Sequence, residues 1–459
     1  MTELQHPTLA QAMARFAHRL QHEELPGDIA ERARVCLLNG YGMALGGLGT
    51  PYAPVATRAV LASDGEQPGG ATLLADGRRA SVAGAALANA ALFHGRAQED
   101  TCGAAHLGAV MIPLLTALIE ARDLPAARLL PALVAGYELG GLLEQAYSGV
   151  TTPAGLRSSP LYGTIAAAAA SATLLGLDEQ ATAAALANAA SFTGGLLQSF
   201  EDGTDEWRYQ VGVAGRNGWL AAELARAGSV SAPHAFEGRS GFVRAYARQE
   251  CDVPALAARL GQEWSIRRVT FKPFPVCAFN QTPVHAALAL RTQIAGRGIR
   301  SVHVRMHPYE AGYAGMDSQG PFASISGTLM SIPFCIASTL LKGAPSMGQM
   351  TTYDDAQVNA LVGRVQLQAD DAVPRLCCAI ELLLDDGQSL AHEQRMTVAD
   401  YAYGREEVRA LVRRVGAEQD LPAALYQRLE GFVDEPGRGI GEVVACFEAA
   451  RRQLQQAGP

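Results

Sequence analysis

Lysine is almost missing from this 459-residue chain: only two of its 37 basic side chains are lysines, Lys272 and Lys342. Arginine serves wherever a generic cation is needed. A retained lysine therefore marks a place for a compact, titratable point charge. Lys342 precedes Gly343 after an apolar run and reads as the basic last turn of a helix, which singles out Lys272.

Other absences narrow the function. There is no block of basic residues and the net charge is −8, so the cationic face that nucleic-acid binding needs is lacking. A locally positive pocket remains compatible with that balance. No two of the eight cysteines (Cys36, Cys102, Cys251, Cys277, Cys335, Cys377, Cys378, Cys446) form a C-x-x-C pair. They read as reduced thiols of a cytoplasmic protein, without the close spacing usual for an iron–sulfur cluster. The cleanest apolar run, Leu107 to Ile119, contains Pro113 and is too short for a bilayer. Met1 to Leu20 carries Glu3, His6, Arg15, His18 and Arg19 and predicts an amphipathic helix, not a secretory leader. Nucleotide-binding, zinc-protease and serine-hydrolase motifs do not occur, and the ten histidines are dispersed, so no metal site is expected.

What is present is a long series of Ala- and Leu-rich segments punctuated by Gly and Pro: 81–96, 107–122, 126–147, 163–175, 179–191 and 211–227. These predict helix after helix. Near Trp264 the pattern changes. Val302, Val304 and Met306 alternate with polar neighbours, Val365 and Leu367 hint at a strand, and 379–384 and 389–395 flank Asp385-Asp386-Gly387-Gln388 as a hairpin. Helices are expected from Gln281 and over 325–341, and again over 406–415 and 421–432. The expected fold is a mainly α helical domain made by both chain ends, 1–265 and 400–459, with a smaller α+β lid over 266–399. A cleft between the two is a natural ligand site.

Four segments carry chemistry: His94-Gly95-Arg96-Ala97-Gln98-Glu99-Asp100-Thr101 followed by His106 and Gly108-Ala109-Val110-Met111-Ile112-Pro113; Arg157-Ser158-Ser159-Pro160-Leu161-Tyr162-Gly163-Thr164; Asp202-Gly203-Thr204 through Gly212; and Phe271-Lys272-Pro273-Phe274-Pro275. In this order they resemble the MmgE/PrpD family, whose members include 2-methylcitrate dehydratase, cis-aconitate decarboxylase and iminodisuccinate epimerase. The resemblance implies a cofactor-free homodimer acting on a small polycarboxylate. Removing a proton or a carboxylate beside a carboxyl-bearing carbon needs cations to hold the acid and an acid/base pair at the carbon. On the matching positions, His106, Lys272 and Tyr313 are the expected catalytic groups. Thr101, Arg157, Ser158, Arg208 and Gln210 are the expected anion contacts, Arg157 and Ser158 at a helix N-terminus.

Four positions depart from the family pattern: Ala97 replaces an Asp, Arg157 a His, Trp207 a Lys and Gln210 a further His. Glu99 and Asp100 read as solvated loop charges, with Glu99 as the alternative stand-in for the missing acid. Tyr147 is a weaker aromatic candidate. The leading expectation is a lyase. An epimerase moving one proton is the second reading, and a family scaffold kept as a binding protein is the third.

Overall fold

The computed structural model describes residues 7–457, so Met1 to His6 of the expected first helix lie outside the described residues. Thr8 caps the helix Leu9–Arg19 through a reciprocal bond with Gln11. Most of the chain before residue 260 is helical. Helix Ser158–Leu175 is buried along nearly its whole length between Leu129–Thr151 and Glu206–Arg226. Small side chains permit this. A Cβ on Gly140 would stand 2.7 Å from Ala166 Cβ, and one on Gly218 would stand 2.5 Å from the Thr164 carbonyl oxygen. The alanine run of the central helix thus sets the interaxial distance, and a methyl group on either neighbour would push the helices apart.

The segment 126–151, long and apolar enough to cross a membrane, has 83% of its most apolar stretch buried inside the protein. It is packed as a core element. None of the eight cysteines is in a disulfide.

The second part holds a four-stranded mixed sheet in the order 365–369, 299–306, 377–384, 389–395. Strand Ile299–Met306 runs parallel to Val365–Ala369 and antiparallel to Cys377–Leu384, and the hairpin to Ser389–Arg395 turns through residues 385–388. Helices Gln281–Ile294 and Ile332–Lys342 pack against it. The predicted single helix over 325–341 is instead two, Ile325–Met330 and Ile332–Lys342. Ser331 leaves the helical region (φ −67°, ψ 116°) and its hydroxyl caps the second helix at Phe334 N, with Pro333 in the first turn.

Helices Arg405–Ala417, Ala423–Asp434 and Gly441–Ala457 return the chain to the first part. Residues 408–450 share one apolar core with residues 9–271, whereas residues 274–384 build a second core with pieces of helices Tyr52–Asp64 and Val82–Phe93.

Candidate functional site

Helix Val82–Phe93 stops at His94 (φ −96°, ψ 2°), and the chain then turns through Ala97 at φ +54°. A non-glycine residue in that region costs on the order of 1 kcal/mol and persists only where its surroundings impose it. Residues Thr101–Cys102 next pair antiparallel with Val269–Thr270, Thr101 opposite Thr270. That register, continued by two residues, puts Glu99 opposite Lys272. The hydroxyls of Thr101 and Thr270 lie 2.7 Å apart, and Gln98 Nε2 donates to the Pro273 carbonyl at 2.9 Å. The chain reverses at Gly103 (φ +62°), where Glu144 Oε1 accepts from Ala104 N at 2.8 Å. His106 then occupies the N-cap of helix Leu107–Arg122 without its ring making a capping bond, which leaves the imidazole free to turn toward Glu99.

Three nitrogens converge on one oxygen. Glu99 Oε1 lies 3.0 Å from Lys272 Nζ, 3.0 Å from His94 Nδ1 and 3.1 Å from His106 Nδ1. The lysine contact is an aligned hydrogen bond; the imidazole contacts are close but off-axis, and His106 Nδ1 is aligned instead with the Asp100 carbonyl at 3.1 Å. Both side chains of the Lys272–Glu99 pair are nearly sealed, at 5% and 1% exposure. Burial alone would raise the Glu99 pKa. His94, the Lys272 ammonium and His106 outweigh it and hold the carboxyl well below its ordinary value, so it is ionised.

Arg157 donates from NH2 to His94 Nε2 at 2.7 Å. Because a guanidinium only donates, that nitrogen accepts, and the His94 proton sits on Nδ1 facing Glu99. Burial drives the His94 pKa down to about 4, against the pull of Glu99 and helped by Arg157 and Arg208. Burial first, then Lys272, likewise holds His106 well below 6.5. Its Nδ1 faces two acceptors, so the neutral ring carries its proton there and keeps the Nε2 lone pair free. Asp100 is raised to about 6 by burial, in spite of the Tyr137 hydroxyl donating to it at 2.5 Å.

Beside this cluster is a cavity of about 60 Å³ at the seam of the two parts. Glu99, Thr101, His106, Lys272 and Tyr313 supply its polar lining. The rest is apolar, led by Phe200, Trp207, Phe279 and Met330, with Ala97 at one end. Tyr313 packs edge-on to Phe279, ring centroids 5.1 Å apart, and burial pushes its phenol pKa up.

Thus four of the expected residues, His106, Lys272, Tyr313 and Thr101, meet at one cavity, and the other four do not reach it. Arg157 stands behind two rings, its guanidinium 5.4 Å from the centroids of Phe200 and of Trp207, and bonds the Trp207 carbonyl and Gln210 as well as His94. Arg208 is fully buried but turned away: it donates to the His94 and Gly95 carbonyls at 2.8 and 2.7 Å and lies 3.9 Å over Tyr52. Gln210 reaches Arg157 and the Leu196 carbonyl. Ser158 bonds Thr152, while its neighbour Ser159 accepts from His106 N at 3.1 Å.

Sequence reasoning undervalued Glu99, which is no solvated loop charge, and passed over His94 and the aromatic wall. The available signal was the density of the 94–106 stretch, with two histidines and two acids within thirteen residues.

Residues 11–253 match the MmgE/PrpD N-terminal domain and residues 274–414 its C-terminal domain. The chain is 29% identical to a cis-aconitate decarboxylase-like protein, oryM, of Aspergillus oryzae, over 95% of this chain and 96% of that protein. It is 25% identical to a cis-aconitate decarboxylase of Aspergillus terreus, over 74% and 73% of the two chains. The helical body, the mixed-sheet second part and both domain matches place this protein in the MmgE/PrpD family.

Proposed function

We propose that the protein is a lyase of the dehydratase or decarboxylase type that acts at a carbon next to a carboxylate, with the chemistry in the cavity between its two parts. The observation that carries this reading is the convergence of Lys272 and His106 on Glu99 within 3.0–3.1 Å in the lining of one cavity. Decarboxylation is in the names of the relatives, which favours that branch.

Lys272 spends one N–H on Glu99 and has two more for a substrate carboxylate. Its charge also stabilises the enolate-like state that forms when a proton or carboxylate leaves the adjacent carbon. His106 Nε2 is the proton acceptor and donor. When it takes a proton, Glu99 is 3.1 Å from Nδ1 and stabilises the imidazolium, the role a carboxylate plays behind a catalytic histidine. Tyr313, on the other wall, is placed to supply or take a second proton. Dehydration moves a proton and a hydroxyl that leave as water, and decarboxylation releases carbon dioxide and puts a proton on the carbon it leaves, so the reading needs no redox cofactor in either branch. It is kept with a cytoplasmic homodimer: the free cysteines suit a reducing compartment, and the exposed Val213, Leu220 and Leu224 of one helix suit a partner subunit.

The test is an NMR screen in deuterated buffer with citrate, 2-methylcitrate, cis-aconitate and aspartate-derived diacids, with Lys272→Ala as the control. Loss of water or carbon dioxide that the variant abolishes is the expected result. Deuterium in recovered acid without net product would replace the lyase by an epimerase. Acids returned unchanged and unlabelled would remove the catalytic reading for this class.

A further inference from the structure

A citrate-type acid carries three carboxylates, and a site for it needs a cation or several donors for each. Lys272 is the one Lys or Arg among the cavity's lining residues, and one of its three N–H groups is taken by Glu99. Arg157 and Arg208 contribute field but no contact, because Phe200 and Trp207 stand between Arg157 and the cavity and Arg208 faces backbone carbonyls. Neither arginine forms an ion pair with a carboxylate among the described residues, so their charges leave the neighbourhood with an excess positive potential that a bound anion offsets. Beyond Lys272, Glu99 and His106, the uncharged donors in the lining are the hydroxyls of Thr101 and Tyr313 and the Cys277 thiol, and the largest surfaces are those of Phe200, Trp207, Phe279, Met330 and Leu329.

The wall is also fixed in place. Trp207 Nε1 donates to Ser326 at 3.0 Å, and Ser326 in turn to Asp205 at 3.0 Å, tying the indole to the second part. The His94 ring meets the indole edge-on at 4.6 Å. A carboxylate pressed on the Phe200, Trp207, Phe279 and Met330 faces would lose its hydration and gain no hydrogen bond there.

We infer that the acid this site takes carries an apolar alkyl or alkenyl group where a citrate-type substrate carries its further carboxylates, with one carboxylate on Lys272 and the apolar group against Trp207, Phe200 and Phe279. The inference rests on the cavity's being the substrate site, and it narrows the substrate class rather than the reaction.

Calorimetric titration of the full-length protein with three acids on one carbon–carbon double bond tests it: cis-aconitate with three carboxylates, mesaconate with two and a methyl, and tiglate with one and two methyls. Affinity is expected to rise as carboxylates are replaced, with tiglate binding at least about tenfold more tightly than cis-aconitate. Phe279→Arg, at a partly exposed position, is expected to shift the ratio back toward cis-aconitate by about tenfold. Cis-aconitate binding as well as or better than mesaconate in the unaltered protein would overturn the inference, whether or not the variant folds. Binding is read without turnover. The expected order together with no deuterium exchange would therefore remove the lyase and leave the specificity standing, and turnover of cis-aconitate with the reverse order would do the opposite.

Discussion

Replacing Glu99 by Gln keeps the shape of the side chain and removes the charge on which three nitrogens converge. Lys272 would then be an ammonium with 5% exposure and no carboxylate within 4 Å. At 3.0 Å and an effective dielectric constant near 20, the lost attraction is about 5 kcal/mol. Breaking a buried pair from one side costs about 3–5 kcal/mol, because the remaining charge keeps its desolvation penalty. We expect Glu99→Gln to lose about that much stability. Lys272→Met in the same chain removes the orphaned charge and should restore at least about 2 kcal/mol, without restoring turnover. Denaturant unfolding of the four proteins of this cycle, beside deuterium exchange into substrate, measures both effects. Single variants within about 0.5 kcal/mol of the parent, or a coupling energy near zero, would mean that Glu99 and Lys272 are not a buried pair and that the site is built differently.

Other consequences are equally open to measurement. His106→Asn, which keeps a polar group of similar size, should lower kcat by about 10²–10⁴ with folding intact by circular dichroism; an unchanged kcat removes His106 from proton transfer. The depressed pKa of His106 keeps the ring neutral at pH 6.5, so kcat/KM should show no acid limb centred there, and a limb near 6.5 speaks against the base assignment. Nitrogen-15 shifts of the His94 ring should show a protonated Nδ1 and a bare Nε2; the opposite tautomer contradicts the Arg157 contact. Arg157→Met should cost about 2–4 kcal/mol by leaving the Trp207 carbonyl and His94 without their donor, and a neutral effect in thermal unfolding would show that water replaces it.

Much of the fold is legible from periodicity alone. The Ala- and Leu-rich segments became helices, and the alternating residues 301–306 became the central strand, because burial of one face dictates both patterns. The misreadings come from local choices that periodicity does not carry. Ser331 and Pro333 gave no interruption in apolar character, yet together they end one helix and begin another. The helix expected from 211 begins at Glu206, so Trp207 and Arg208 lie on its first turn, about 100° apart, one at the cavity and the other facing backbone carbonyls. The same geometry separates Ser158 from Ser159. Glu99 was illegible for another reason: its environment depends on a two-residue ladder to a segment some 170 positions away, and no local feature of an E-D-T triplet reports that.

That ladder divides the site by what supports each side chain. Residues 99–102 and 269–272 are stitched together within the helical body, so the ammonium, the carboxylate and the imidazole form one rigid assembly. Cys277, Phe279, Tyr313 and Met330 lie beyond it, in the second core. Phe200 and Trp207 stand on helices of the helical body and pack into that same second core, so the apolar wall straddles the seam while the charged groups lie on one side of it. An acid held here would have its anionic end on the ladder and its other end against side chains drawn from both parts, so a substitution in the second core would retune selectivity while leaving the charged anchor in place.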